Sequence, residues 1–120
     1  MANESYHTRK LRKELERRGL FYKHHGFMTA GISDLIGCVG GKFVAIECKM
    51  NNGGITPLQQ YFLTHVVENG GAGFIVRFVG KLCTVSEWAT GTTETVQSIP
   101  EAALWLLNHL CSSTSKTRLI

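Results

Sequence analysis

Residues 31–49 read GISDLIGCVGGKFVAIECK. Two short β-rich runs, 32–39 and 42–49, flank Gly40 and Gly41, and two such runs joined by two glycines predict a tight hairpin at the centre of a sheet. A two-residue turn sets Asp34 directly across from Glu47, so two carboxylates share one neighbourhood. The two-residue alternation of a strand puts Ala45, Glu47 and Lys49 on one face and Val44, Ile46 and Cys48 on the other. Ala45 is small and leaves space beside the charged side chains.

Downstream, residues 50–55 (MNNGGI) form a Gly/Asn-rich loop, and Thr56 with Pro57 supplies a helix N-cap and a proline at the first helical position. The helix should run to about Glu68, with Leu58, Phe62, His65 and Val66 at helical spacing and Asn69, Gly70 and Gly71 ending it. Residues 73–80 (GFIVRFVG) predict a strand turning through Gly80 and Lys81 into 82–89 (LCTVSEWA), with 90–97 a polar connection of no assigned form. Pro100 and the run 102–110 (AALWLLNHL) predict a final helix.

Upstream, residues 5–18 predict an amphipathic helix with Leu11 and Leu15 on its apolar stripe and Gly19 as its stop. Residues 20–23 predict a short strand, and His24, His25 and Gly26 begin a connection through Phe27 and Met28 toward Gly31. The order helix, strands, helix, strands, helix implies an α/β sandwich around one small mixed sheet. One domain would span 1–111 and a flexible tail 112–120.

The 120 residues carry a net charge of +4, and all of the excess lies in residues 1–25, which hold seven Lys/Arg against three Asp/Glu. Arg9, Lys10, Arg12, Lys13, Arg17 and Arg18 make the first helix either a well-solvated outer helix or one that contacts a nucleic-acid backbone. The N-terminus lacks a signal-peptide pattern and no apolar segment is long enough to cross a bilayer, so an intracellular, cytoplasmic protein with no membrane partner is expected. Cys38, Cys48, Cys83 and Cys111 are widely spaced, which argues against a zinc knuckle or disulfide framework and for small core residues. No phosphate-binding glycine loop is present, so no nucleotide cofactor is expected.

Acidic groups and a lysine inside apolar strands are costly unless paired or metal-bound. Asp34 and Glu47 could give oxygen ligands to magnesium, the carbonyl of Cys48 a third, and waters and a phosphate oxygen the rest. Lys49 would then orient or polarise a water attacking a phosphodiester. The competing structural reading is an edge strand whose outward face is solvated, with the same three residues in ordinary ion pairs.

The ordered set GISDLIGCVGGKFVAIECK (31–49) and TPLQQYF (56–62) resembles the PD-(D/E)xK nucleases, specifically the small stand-alone VRR-Nuc type of phages and bacteria related to Holliday-junction resolvases. The resemblance covers nearly the whole chain. It implies a restriction-endonuclease-like core, Asp34 and Glu47 as ligands of Mg2+ (Mn2+ a plausible substitute), Lys49 as catalytic lysine, and Gln59, ahead of Gln60, reaching in from the next helix. A glutamate near the start of the first helix is common in such nucleases, and Glu4 fits that place best, with Glu14 and Glu16 as competitors and a solvated N-terminal residue as the alternative. The usual proline before the first aspartate is Ser33 here, which removes backbone stiffness and weakens the motif match more than it weakens the metal chemistry.

Lys23 and His24 join Arg9, Lys10, Arg12 and Lys13 as candidate nucleic-acid contacts, although His24 and His25 also suit a solvent-exposed loop. His65 is read as helix surface or interface. Tyr22, Phe27 and Tyr61 could stack on unpaired bases but are expected in the core, and Trp88 and Trp105 in packing or a subunit contact. The resemblance implies cleavage of branched DNA, four-way junctions included, by a homodimer that supplies two active sites. A nicking, flap or restriction-like nuclease, or a non-catalytic nucleic-acid-binding module, are the alternatives.

Overall fold

Gly40 and Gly41, at φ 57° and 83°, supply the left-handed backbone that a two-residue hairpin demands, and they fold β2 (Leu35–Val39) onto β3 (Lys42–Met50). The computed structural model describes residues 4–24 and 31–117, with side chains as far as Leu110. Its remaining elements are α1 (Glu4–Leu15), β1 (Leu20–Lys23), α2 (Pro57–Glu68), β4 (Ala72–Val79), β5 (Leu82–Glu87), β6 (Thr93–Val96) and α3 (Ile99–Thr117). The six strands form one sheet in chain order, and every neighbouring pair is antiparallel except β3 and β4, which α2 connects in parallel. Leu35 faces Ile46 in the β2–β3 register, so Asp34, one residue before β2, comes opposite Glu47 as the hairpin demands.

The alternation of side chains divides the core into two layers. Leu11 and Leu15 of α1 and Ala102, Leu106 and Leu110 of α3 pack on Val44, Ile46, Cys48, Phe74 and Val76, while Leu63 and Val66 of α2 pack on Ala45 and Ile75 of the opposite sheet face. Gly37 permits β1 and β2 to approach, since a Cβ there would lie 2.3 Å from the Leu20 carbonyl oxygen and 2.5 Å from the Phe21 ring. The Trp105 indole N–H donates to Glu94, tying α3 to β6, and that of Trp88 donates to Thr64 of α2.

Several expectations shift. The α1 helix stops at Leu15 instead of Arg18, because the amides of Arg17 and Arg18 bond to Glu14 and Leu15 in tightened i to i−3 turns. Glu14 lies 3.5 Å from Arg17, and Arg12 pairs with Glu16 at 3.2 Å. The polar connection 90–97 contains β6, whose Thr-rich sequence suits an exposed edge strand. In α2 the buried residues are Leu63 and Val66, whereas Leu58 is exposed; His65 is exposed too, in keeping with its reading as helix surface. Cys48 and Cys83 are core residues, but Cys38 is exposed, on the alternate face beyond the reach of α2. Tyr22 and Tyr61 are 58% and 64% exposed, not core, because Phe21 and Leu63 take the inward positions beside them. Phe27, Met28 and His25 lie outside the described residues. Separately, the backbone of α3 is helical as far as Thr117. No helix among the described residues is long and apolar enough to cross a membrane.

Candidate active site

The third strand of six, β3, carries the candidate residues Glu47 and Lys49. β3 is an interior strand and Glu47 lies on the face that α2 covers, where it is only 2% exposed, which rules out the solvated edge-strand arrangement. Lys49 sits two residues on along the same face, its Nζ 3.7 Å from Glu47 Oε2.

Beyond Leu35, β2 no longer covers its edge of β3, and carboxylates take its place. The Cys48 amide donates to Asp34 Oδ2 at 2.9 Å, and the Met50 amide comes near enough to Glu4, the first residue of α1, to favour its charged form. A residue's N–H and C=O share one strand edge, so the Cys48 carbonyl faces this same side. The backbone of Asp34 is itself held by the His24 amide, 2.8 Å from its carbonyl oxygen.

Gln59 arrives from α2 through a capping box. Its backbone N–H donates to Thr56 Oγ1 at 3.2 Å, its Oε1 accepts the Thr56 amide at 2.9 Å, and its Nε2 donates to Glu47 Oε2 at 2.8 Å. Gln60 instead donates to the Ile55 carbonyl, which separates the two glutamines geometrically.

The electrostatics are strained in one direction. Burial, then the nearby charge of Asp34, push Glu47 up to about 8 from the usual 4.5, against the opposing pull of Lys49. Glu4 is also raised, by burial first and Asp34 second. Glu14 and Glu16 stay in surface pairs on α1, so Glu4 is the α1 glutamate brought to the site. Burial raises the Cys48 thiol as well, keeping its sulfur protonated and inert.

Among the described residues no group of three or more His, Cys, Asp and Glu side chains is arranged to hold a metal. Glu47 Oε1 is nonetheless buried with no hydrogen-bond partner, beside a second carboxylate. That combination fits a hard divalent cation of the magnesium kind, which is commonly held by one or two carboxylates and keeps several waters, and does not fit a closed cage of side chains. Asp34, Glu47 and the Cys48 carbonyl would be its protein donors, with Glu4 at the margin.

The basic candidates spread more widely. Arg9, Lys10 and Lys13 are exposed on α1, Lys10 lying 5.1 Å from the Tyr6 ring centre. Arg12 is engaged structurally, donating to the Phe21 carbonyl and Glu16. Lys23 is close enough to act on Glu4, and His24 is half-buried, its Nε2 without a partner, rather than solvent-exposed. Arg77 was not a sequence candidate, yet it pairs in register with Lys49 and donates to the Gly53 carbonyl in the loop after β3. An arginine on the otherwise apolar run 73–80 was the signal for it.

Among solved structures, the chain is similar to Archaeoglobus fulgidus Hjc, a Holliday junction resolvase from an archaeal hyperthermophile, with a TM-score of 0.59 and 16% identity over 82% of this chain and 98% of that one. This chain has the resolvase-like α/β architecture. No family model and no curated protein matches it. The likeness therefore establishes a mixed sheet flanked by helices in the restriction-endonuclease manner, and the narrower VRR-Nuc resemblance rests on the motifs of residues 31–62.

Proposed function

We propose that this protein is a magnesium-dependent endonuclease that hydrolyses phosphodiester bonds in branched DNA, four-way junctions included, working as a homodimer inside the cell. The observation that carries it is the buried Glu47 with its orphaned oxygen, flanked by Asp34, Lys49 and Gln59. Such a group of polar side chains is unfavourable in a sheet this apolar unless it serves a ligand.

Asp34, Glu47 and the Cys48 carbonyl would hold the cation, whose chemistry is to stabilise charge on the phosphate and acidify water. Gln59 fixes Glu47 in one orientation, since its amide is anchored at the other end by the helix cap. Lys49, with its ammonium group beside Glu47, orients the attacking water or neutralises charge gathering on the phosphate oxygens. Glu4, near the Met50 amide, adjusts the field on Asp34 from across the strand end.

The test incubates the protein with labelled four-way, flap, single-stranded and linear duplex DNA, with and without Mg2+, beside Asp34→Ala and Glu47→Ala. Magnesium-dependent cleavage that both substitutions abolish supports the reading, and paired symmetric cuts across a junction support resolution. Equal cutting of intact duplex removes the branch preference. DNA binding with no cleavage under any tested metal would leave a non-catalytic binding module.

A further inference from the structure

A groove of about 1030 Å³ runs between α1, the β4–β5 turn and the start of α3, separate from the carboxylates. Leu82 and Ile99 line it, and so does Tyr6 at 40% exposure, with Lys10 5.1 Å from its ring centre and the His7 ring edge-on to it. Arg9 and Lys13 rise from α1 on one side and Lys81 from the β4–β5 turn on the other. All three are exposed, and none forms an ion pair with a carboxylate among the described residues. The acidic lining residues Glu14 and Glu16 are by contrast already occupied by Arg17 and Arg12.

We propose that this groove binds single-stranded nucleic acid. The inference rests on the nuclease reading for its biological use, but its geometry is independent of the metal site. Cations outside any ion pair call for a polyanion, and apolar lining residues beside a partly exposed aromatic ring call for one that exposes base faces. A duplex offers phosphates while keeping its bases stacked, so it would leave the apolar lining wet. Arg9 and Lys13 stand one helical turn apart, about 6 Å along the axis, which suits successive phosphates of an extended strand.

The groove also opens at the right place. Gly80 and Lys81 follow β4, which runs parallel to β3, so the turn lies at the same end of the sheet as Lys49 and Met50. Glu4 and Arg9 lie on one helix, five residues or about 7.5 Å of rise apart. The groove lies on the α1 and α3 face and Glu47 and Lys49 on the α2 face, so a strand leaving the carboxylates would pass around the end of β3 beside Glu4 to enter the groove, making an unpaired arm beside the cut a recognised part of the substrate.

The test measures fluorescence anisotropy of a labelled oligothymidylate and of a blunt duplex of equal length, in EDTA, so that cleavage plays no part. Wild type should bind the single strand more tightly. Lys81→Glu, and separately Arg9→Glu with Lys13→Glu, should each weaken that binding about tenfold or more and flatten its salt dependence, with thermal melting unchanged. Tyr6→Ala should weaken it with the salt slope retained. The proposal is overturned if the variants bind the oligonucleotide as wild type does, if the duplex loses as much affinity as the single strand, or if a polyglutamate peptide competes as well as the oligonucleotide. Absence of cleavage with Mg2+ alongside intact, variant-sensitive binding would overturn the nuclease reading and leave the groove standing.

Discussion

The side-chain amide of Gln59 joins the N-cap of α2 to the buried carboxylate of Glu47: Oε1 accepts the Thr56 amide at 2.9 Å while Nε2 donates to Glu47 Oε2 at 2.8 Å. A single residue thus caps a helix and aims a catalytic candidate, coupling local helix stability to the site.

Gln59→Ala should therefore act twice. Loss of half the capping box should lower stability by about 1 kcal/mol, and the freed Glu47 should slow cleavage by roughly 10²-fold. Gln60→Ala, which removes only a bond to the Ile55 carbonyl, should change the cleavage rate little. Chemical denaturation and single-turnover cleavage of both variants measure this, and equal rates for the two would refute the coupling.

Glu47→Gln keeps the shape and removes the charge. Cleavage should fall to background, while metal-free stability at pH 8 should rise by about 1–3 kcal/mol because a buried ionisable group no longer has to be charged. A loss of stability in urea titrations would show that Glu47 is fully compensated by Lys49 and Gln59.

The pH dependence has a definite sign. Glu47 is raised from 4.5 to about 8, so between those values the folded state keeps a proton that the unfolded state has lost. Its contribution to metal-free stability is present in full below pH 4.5, declines as pH rises and is gone above about 8. Melting temperatures from pH 5 to 8 should show this decline in wild type and a flatter profile in Glu47→Gln. Adding Mg2+ should release protons at pH 7, a change calorimetry in buffers of different ionisation enthalpy would detect.

Arg77→Met should loosen the loop after β3. Arg77 donates to the Gly53 carbonyl, and Gly53 packs against Lys49, a Cβ there lying 3.5 Å from Lys49 Cδ. Faster amide exchange across residues 51–54 and a lower cleavage rate are expected, with Arg77→Lys partly restoring both. Unchanged exchange in Arg77→Met would show that the loop is held by other contacts.

Gly37→Ala tests the sheet. The added methyl would press on the Leu20 carbonyl and the Phe21 ring, so stability should fall by about 1–3 kcal/mol. Gly54→Ala meets nothing within 4 Å and should be tolerated. Thermal melts of the two decide whether close approach at β1–β2 is essential.

The stretch 31–49 carries enough local information to specify its own hairpin: two glycines able to adopt positive φ, an alternation that sorts Val44, Ile46 and Cys48 from Ala45, Glu47 and Lys49, and a spacing that opposes Asp34 to Glu47. The same holds for α2, where Thr56, Pro57 and Gln59 spell a cap within four residues. These are short-range constraints, set by turn geometry and strand periodicity. The resemblance supplied the role of Gln59, and the capping box shows how that side chain can both cap and reach.

What periodicity could not reach depends on neighbours distant in the chain. Tyr22, Tyr61 and Cys38 look like core by residue type, but whether a strand face is covered depends on where α1, α2 and α3 come to rest. The Thr-rich run 93–96 becomes β6 only because β5 offers an open edge. Glu4 meets Asp34 and Met50, and Arg77 meets Gly53, through packing of segments dozens of residues apart.

The opposition of Asp34 and Glu47 and the cap that carries Gln59 are thus written in the residues themselves, because hairpin register and helix capping are short-range. The burial of Glu47, the carboxylates that replace β2 along β3, and the groove beside α1 were decided by the tertiary structure, because each exists only where separate elements exclude water together.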